Sequence, residues 1–294
     1  RANKVVKRPR SEDQEAEVKD SLAWLKDNVE LSDELKYHWD NTRVYRKKWL
    51  AVQRYPLVTD VLDDWPILKS PIAPVLIDID FDALGITERD RIQYWDQFFT
   101  AVRNYFGKKS IDNVGQGLLS LIDLETTSTN GRVLCQLWAL NSFCAPKGRI
   151  PKADFGSSSN AKRASILEAK ESMLIHVSRE DDIKVAQQGK IKGAGRQHVQ
   201  PYLIVVGSHV ASAEKFFVAL DNYIYPVSSA LKAIDTCFKI FHVLDAFYPP
   251  QSHHLWLLIQ RGLYQFSTLT DIKIPHMTKA IAKVASLKYE TIYA

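Results

Sequence analysis

From Tyr202 to Val206 the chain is an unbroken apolar run rich in β-branched residues, preceded by Pro201 and followed by Gly207. So short a run of apolar, β-branched residues between Pro and Gly predicts a buried strand. Two further apolar runs, Phe216–Leu220 and Tyr223–Val227, flank Asp221-Asn222. Both of those residue types tolerate positive φ, so the pair predicts a two-residue hairpin. Pro226 has no N–H to give to a ladder, which ends the third strand there or places it on an edge. Ser228 or Ser229 then supplies an N-cap, and Leu231, Ile234, Phe238, Phe241 and Leu244 draw one helical stripe. Tyr248-Pro249-Pro250 stops that helix, and Leu255, Leu258, Ile259, Leu263 and Phe266 predict another.

The amino-terminal half repeats at helical spacing. Ser11 and Gln14 form a capping-box pair ahead of Val18, Leu22, Leu25 and Val29. From about Ser32 to Arg54, the residues Leu35, Trp39, Thr42, Tyr45, Trp49 and Val52 share one helical face. Arg43, Arg46, Lys47, Lys48 and Arg54 gather toward its end, where cations suit the helix dipole without any ligand. Thr87 and Asp90 predict a further capping box before Ile92, Trp95, Phe99, Val102 and Tyr105 or Phe106, and Gly107 closes that helix. Leu118–Leu124 and Val133–Phe143 complete a helical half.

Residues 146–161 are rich in Pro, Gly, Ser, Lys and Arg. Beyond them, Met173–Val177 predicts a strand, Ser178 caps a short helix to Gln188, and Gly189–Gln200 reads as a flexible basic loop. The resulting organisation is a basic arm over 1–11, a helical domain over 12–145, a linker or mobile loop over 146–164 and a small α+β domain over 165–290. The fold class is α+β, a mainly helical amino-terminal half followed by a small domain of sheet and helices.

With 294 residues, 46% of them hydrophobic, the chain has enough apolar surface for a large core and is excluded from the disordered class. No apolar run approaches the roughly 20 residues of a membrane span, and no secretory leader is visible. The first residue is Arg rather than Met, which fits a fragment of a longer chain. Cys135, Cys144 and Cys237 are odd in number and lack CxxC spacing, which fits a reducing compartment. These features predict an intracellular protein, nuclear or cytoplasmic, without membrane contact.

The formal net charge of +5 is unevenly spread. Residues 1–10 carry Arg1, Lys4, Lys7, Arg8 and Arg10 without an acid, and Lys7-Arg8-Pro9-Arg10 is similar to a short nuclear-import cluster. Residues 147–198 hold an excess of Lys and Arg over Asp and Glu. Candidate contacts to nucleic acid or an acidic partner are therefore Lys7, Arg8, Arg10, Lys190, Lys192 and Arg196, with a solvated surface as the plainer reading.

Other constellations lack what their chemistry requires. Asp78, Asp80 and Asp82 alternate with Ile77, Ile79 and Phe81, a spacing that on a strand would place three carboxylates on one face toward a divalent cation. The distal ligands of such a site are absent, so a half-buried strand or turn with a solvated acidic face is the expectation. Cys237 and His242 stand five residues apart, about 140° around a helix, and make no nucleophile–base pair. Gly189, Gly193 and Gly195 with Lys190, Lys192 and Arg196 lack the strand–loop–helix order of a phosphate-binding loop. No catalytic, cofactor-binding or metal-ligating residue is expected, and no cofactor.

The combination of Asn3–Arg10 with Glu12, Val61-Leu62 before Trp65-Pro66, Leu76–Leu84 and the segment from Gln200 to Gln260 resembles a metazoan family abundant in fishes, the sterile-alpha-motif-domain-containing protein 3-like proteins. The resemblance spans most of the chain but carries no catalytic motif, and Lys4-Val5-Val6-Lys7 is longer than the family's compact basic element. It implies a region that follows other modules, such as a sterile alpha motif or a zinc finger. The leading expectation is a non-enzymatic protein-interaction or scaffold module, with homo-oligomerisation open. The alternative is a nucleic-acid-associated nuclear factor using the basic arm and loop. A hydrolase or nucleotidyltransferase built on Asp78 and Asp80 ranks third.

Overall fold

The computed structural model describes residues 12–52, 58–88, 90–107, 111–147, 149–150, 162–194, 199–287 and 289. Its first half is helical: α1 (Glu12–Asp27), α2 (Asp33–Val52), α3 (Val58–Asp64), α4 (Ala73–Asp82), α5 (Trp95–Phe106), α6 (Asn113–Asp123) and α7 (Thr129–Phe143). A two-stranded ladder, β1 (Arg149–Ile150) with β2 (Lys162–Arg163), leads to α8 (Ile166–Met173), β3 (Leu174–Val177) and α9 (Ile183–Ala194). Then come β4 (Tyr202–Val206), β5 (Lys215–Leu220), β6 (Tyr223–Val227), α10 (Ala230–Val243), α11 (His253–Gly262) and α12 (Thr278–Ala285). The fold is α+β.

The main sheet has the order β3-β4-β5-β6, with β3 parallel to β4 and the other pairs antiparallel. Period-two alternation splits the central strand β4 between two layers. Tyr202, Ile204 and Val206 face a small cluster with Val177, Ile183 and Val199 under α9. Leu203 and Val205 join the main core beneath α10 with Val218, Phe238 and Phe241. A strand covered on both faces has no polar side, which is why its sequence is apolar throughout. The β5–β6 hairpin turns at Asp221, whose φ is 53°, and Pro226 lies on the edge strand opposite Phe217. Ser229 caps α10, its hydroxyl accepting from the Lys232 amide.

The main core is shared by both halves. It takes in Leu35, Trp39, Leu76, Phe98 and Leu134 from the helices before residue 145, and Val218, Phe238, Trp256 and Ile281 from the elements after it. At one joint a Cβ on Gly131 would stand 1.8 Å from the Ala211 carbonyl oxygen, so α7 approaches that turn closely because residue 131 is glycine. Nearby, Asn130 Oδ1 accepts from the Ala230 amide at 3.0 Å. Much of the expected linker, 151–161, lies outside the described residues, and its flanks form the β1–β2 ladder.

Several local expectations are corrected. Residues 73–82 are a helix rather than a strand or turn: Pro74 sits in the first turn, where its missing N–H costs nothing. Gly189 and Gly193 do not interrupt α9, which continues to Ala194 instead of ending near Gln188. Met173 closes α8, and β3 begins one residue later. Thr87 makes no capping box. Its hydroxyl bonds the Tyr264 carbonyl, and Asp90, at φ 55°, opens a short turn without a side-chain cap bond. Ser11 of the first proposed capping box lies outside the described residues.

Candidate interaction groove and the ion pairs behind it

Helix α2 buries Leu35, Trp39, Thr42 and Arg46, a stripe in steps of four, three and four. Arg46 takes the position that simple apolar phasing would give to Tyr45. Its guanidinium lies 3.4 Å from the centroid of the Trp39 ring, and Nη2 donates to both Asp80 carboxylate oxygens at 2.6 and 2.7 Å. Burial lowers the pKa of the guanidinium to about 10, and the Asp80 charge acts in the opposite direction. Arg43 approaches the same carboxylate, with Nε 3.5 Å from Oδ1.

Asp78, two residues earlier on α4, turns the other way. Alternate residues on an α-helix point about 200° apart, so the aspartates cannot share a cation. Asp78 accepts from Lys232 and, at 2.8 Å, from Lys239 of α10, and Lys239 also pairs with Asp235 at 2.7 Å. Burial tends to lower the Lys239 pKa, but Asp235 and Asp78 outweigh it and hold the ammonium above its ordinary value. Tyr264 donates to Asp235 Oδ1 at 2.7 Å. Asp82 is exposed. The acidic triplet is thus two separate tethers from α4, one to α2 and one to α10. Among the described residues, no group of three or more His, Cys, Asp or Glu side chains converges as a metal site would require.

Because the buried phase of α2 runs through Arg46, Tyr45 and Trp49 fall at the margin. Tyr45 is 42% exposed and Trp49 is half-buried. With Leu22, Leu25 and Lys26 of α1, Asp64 at the end of α3, and Trp65, Pro66 and Ile67 after it, they line a groove of about 210 Å³. Its walls are fixed. Trp24 of α1 stacks on His38 of α2 with centroids 4.4 Å apart, and the Asn41 amide donates to Ser21 Oγ at 2.9 Å. On the far side, the Tyr225 hydroxyl of β6 bonds the Leu68 carbonyl and holds the turn that carries Trp65. Lys26 and Asp64 at the margins have no ion-pair partner among the described residues. The groove therefore offers two indoles, a phenol and aliphatic side chains, with a lysine and an aspartate at its margins.

Of the sequence-predicted contacts, Lys190 and Lys192 fall within the described residues. Lys7, Arg8, Arg10 and Arg196 lie outside the described residues. Lys190 belongs to α9, not to a loop: Nζ sits 4.2 Å from the Tyr202 ring centroid and donates to the Glu171 carbonyl. Burial lowers its pKa to about 8, against the opposing charges of Glu171 and Cys237. Lys192 is exposed on the same helix. Arg43 and Arg46 are turned onto Asp80. Cys237 is fully buried and burial pushes its thiol pKa up, while His242 bonds the Tyr248 hydroxyl at 2.8 Å instead. The groove escaped sequence reasoning because its walls come from three separated segments. The one available signal was an arginine in phase with Leu35, Trp39 and Thr42.

Comparison with known proteins returns no matching family model, no matching curated protein and no matching solved structure. No helix among the described residues is long and apolar enough to cross a membrane.

Proposed function

We propose that this chain is a protein-interaction module whose groove between α1, α2 and the turn after α3 receives a short apolar segment of a partner protein. One observation carries the reading: Tyr45, Trp49 and Trp65 line a preformed cleft, with Lys26 and Asp64 beside it lacking an ion-pair partner among the described residues. Aromatic side chains in a partly desolvated cleft are the usual anchors of protein recognition, and flanking charges select and orient the ligand. The complementary segment is a peptide with aliphatic or proline side chains between one acidic residue, facing Lys26, and one basic residue, facing Asp64. The α4 carboxylates support the same reading, since Asp78 and Asp80 are occupied as tethers between helices.

Selection from a random peptide library tests the proposal. The expected outcome is enrichment of apolar peptides carrying both charges, lost when the same library is panned on a Trp49→Ala variant. Enrichment that is indifferent to Trp49 contradicts it. Concentration-dependent dimerisation abolished by Trp49→Ala would also overturn it, by assigning the groove to a second copy of the chain.

A further inference from the structure

The loop between α11 and α12 is built inside out. Buried Phe266 and Met277 pin its two ends. In its middle Asp271 turns inward, with a side chain only 9% exposed. Gln260 Nε2 donates to both Asp271 carboxylate oxygens at 3.0 and 3.2 Å, and the Thr268 hydroxyl donates at 2.6 Å. Arg261 Nε lies 3.3 Å from the same carboxylate. Two aliphatic residues beside Asp271 face outward instead. Leu269 is fully exposed, more so than any other large hydrophobic side chain among the described residues, and Ile272 is 61% exposed. Aliphatic side chains scattered singly over a surface are ordinary. Here an anchored turn withdraws the one acid of the loop and presents two aliphatics within four residues.

The charges that follow have a single sign. Lys273 comes directly after Ile272, and Lys279 and Lys283 stand one turn apart on α12; all three are exposed. From Ile272 to Leu287 the sequence holds no Asp or Glu. None of the three lysines has an ion-pair partner among the described residues. A tip of two aliphatic side chains is far smaller than the roughly 800 Å² that a stable protein interface takes from each partner. It suits a lipid surface, which receives apolar side chains at the acyl boundary while anionic headgroups attract the lysines beside them.

We propose that Leu269 and Ile272 insert into one leaflet of an anionic lipid bilayer, with Lys273 against the headgroups and Lys279 and Lys283 adding attraction. Asp271 keeps the tip in shape, and its inward turn spares the tip a like charge against those headgroups. The contact requires no spanning helix and departs from the sequence expectation of no membrane contact. It rests on different elements from the groove between α1, α2 and the turn after α3.

The test is sedimentation of the whole chain with vesicles of phosphatidylcholine alone, or of phosphatidylcholine and phosphatidylserine in equal parts. Binding is expected to the mixed vesicles and should weaken as salt is raised. Replacing Leu269 and Ile272 together by Ser should weaken it about tenfold or more. Lys273→Ala should weaken it about fivefold, and Lys192→Ala, on α9, should leave it unchanged. Because the three native cysteines are buried, Leu269→Cys can carry an environment-sensitive dye at that position alone. Its emission should rise on the mixed vesicles and stay level with phosphatidylcholine. Absence of binding to the mixed vesicles overturns the proposal, as does equal binding to both kinds. Binding that the double Ser variant keeps in full, a silent dye on bound protein, or an equal loss in Lys192→Ala would also overturn it, by reducing the contact to adsorption through net charge.

Discussion

Arg46 and Asp80 join the core to the groove. The guanidinium that Asp80 holds lies between two indoles, 3.4 Å from the Trp39 ring and 5.9 Å from the ring of Trp65, which walls the groove. Asp80→Ala would leave a buried, unpaired cation and should cost about 3–5 kcal/mol. The double change Arg46→Met, Asp80→Leu should recover most of that loss, because it removes both desolvated charges. Urea denaturation of the two variants checks this, and equal destabilisation in both would show that the pair contributes something other than charge compensation.

Phe238 is the centre of the aromatic core. It stacks on Tyr264 with ring centroids 3.9 Å apart and is fully buried under α11 and the sheet. Phe238→Ala should destabilise by about 3–5 kcal/mol through lost transfer energy and the cavity left behind. An unchanged melting temperature would contradict the packing.

Two histidines make stability depend on mildly acidic pH. Burial pushes His242 down to about 4, opposed by the Asp271 charge. It also pushes His254 down to about 4, opposed by the bond to the Cys144 carbonyl and assisted by His276 and His253. Both are neutral in the fold, whereas an unfolded histidine titrates near 6.5. The unfolded chain therefore binds more protons between about pH 6.5 and 4. The stabilisation is fully present above that window and lost as pH falls through it, on the order of 3 kcal/mol for each residue. Asp123, held below its ordinary value by the Arg103 hydrogen bond, adds its loss only under about pH 4. Denaturation at pH 7, 5.5 and 4.5 should show the decline, less steep in His242→Asn, and a flat profile would contradict it.

Asp78 and Asp80 diverge onto separate cation partners, so millimolar Mg²⁺ or Ca²⁺ should leave the melting temperature unchanged. A rise that disappears in Asp78→Ala would show that the α4 carboxylates hold a metal.

The sequence was most legible where the code is local. The hairpin at Asp221, the Ser229 cap and the stripe of α10 each depend on residues within a few positions of one another, and all three are present. Ile77, Ile79 and Phe81 misled because their alternation imitates a strand. On α4 the buried set is Ala73, Pro74, Leu76, Ile77, Asp80 and Phe81, and burying Asp80 makes sense only once Arg46 is in place. Lys190 was unreadable for the same reason, since its Tyr202 platform belongs to a strand across α9. Trp49 and Trp65 were visible as residues, but the cleft between them depends on how α1, α2 and α3 pack. Local spacing does not encode that packing.

The most direct test of the account is a binding isotherm for a library-selected peptide against the wild-type chain and Trp49→Ala. Far-ultraviolet circular dichroism of both proteins would establish that the fold is kept. An anchor residue in a cleft contributes about 2 kcal/mol or more, so the account predicts affinity at least roughly 30-fold weaker in the variant with an unchanged spectrum. Equal affinity in the two proteins would contradict it and remove the groove as the site of interaction.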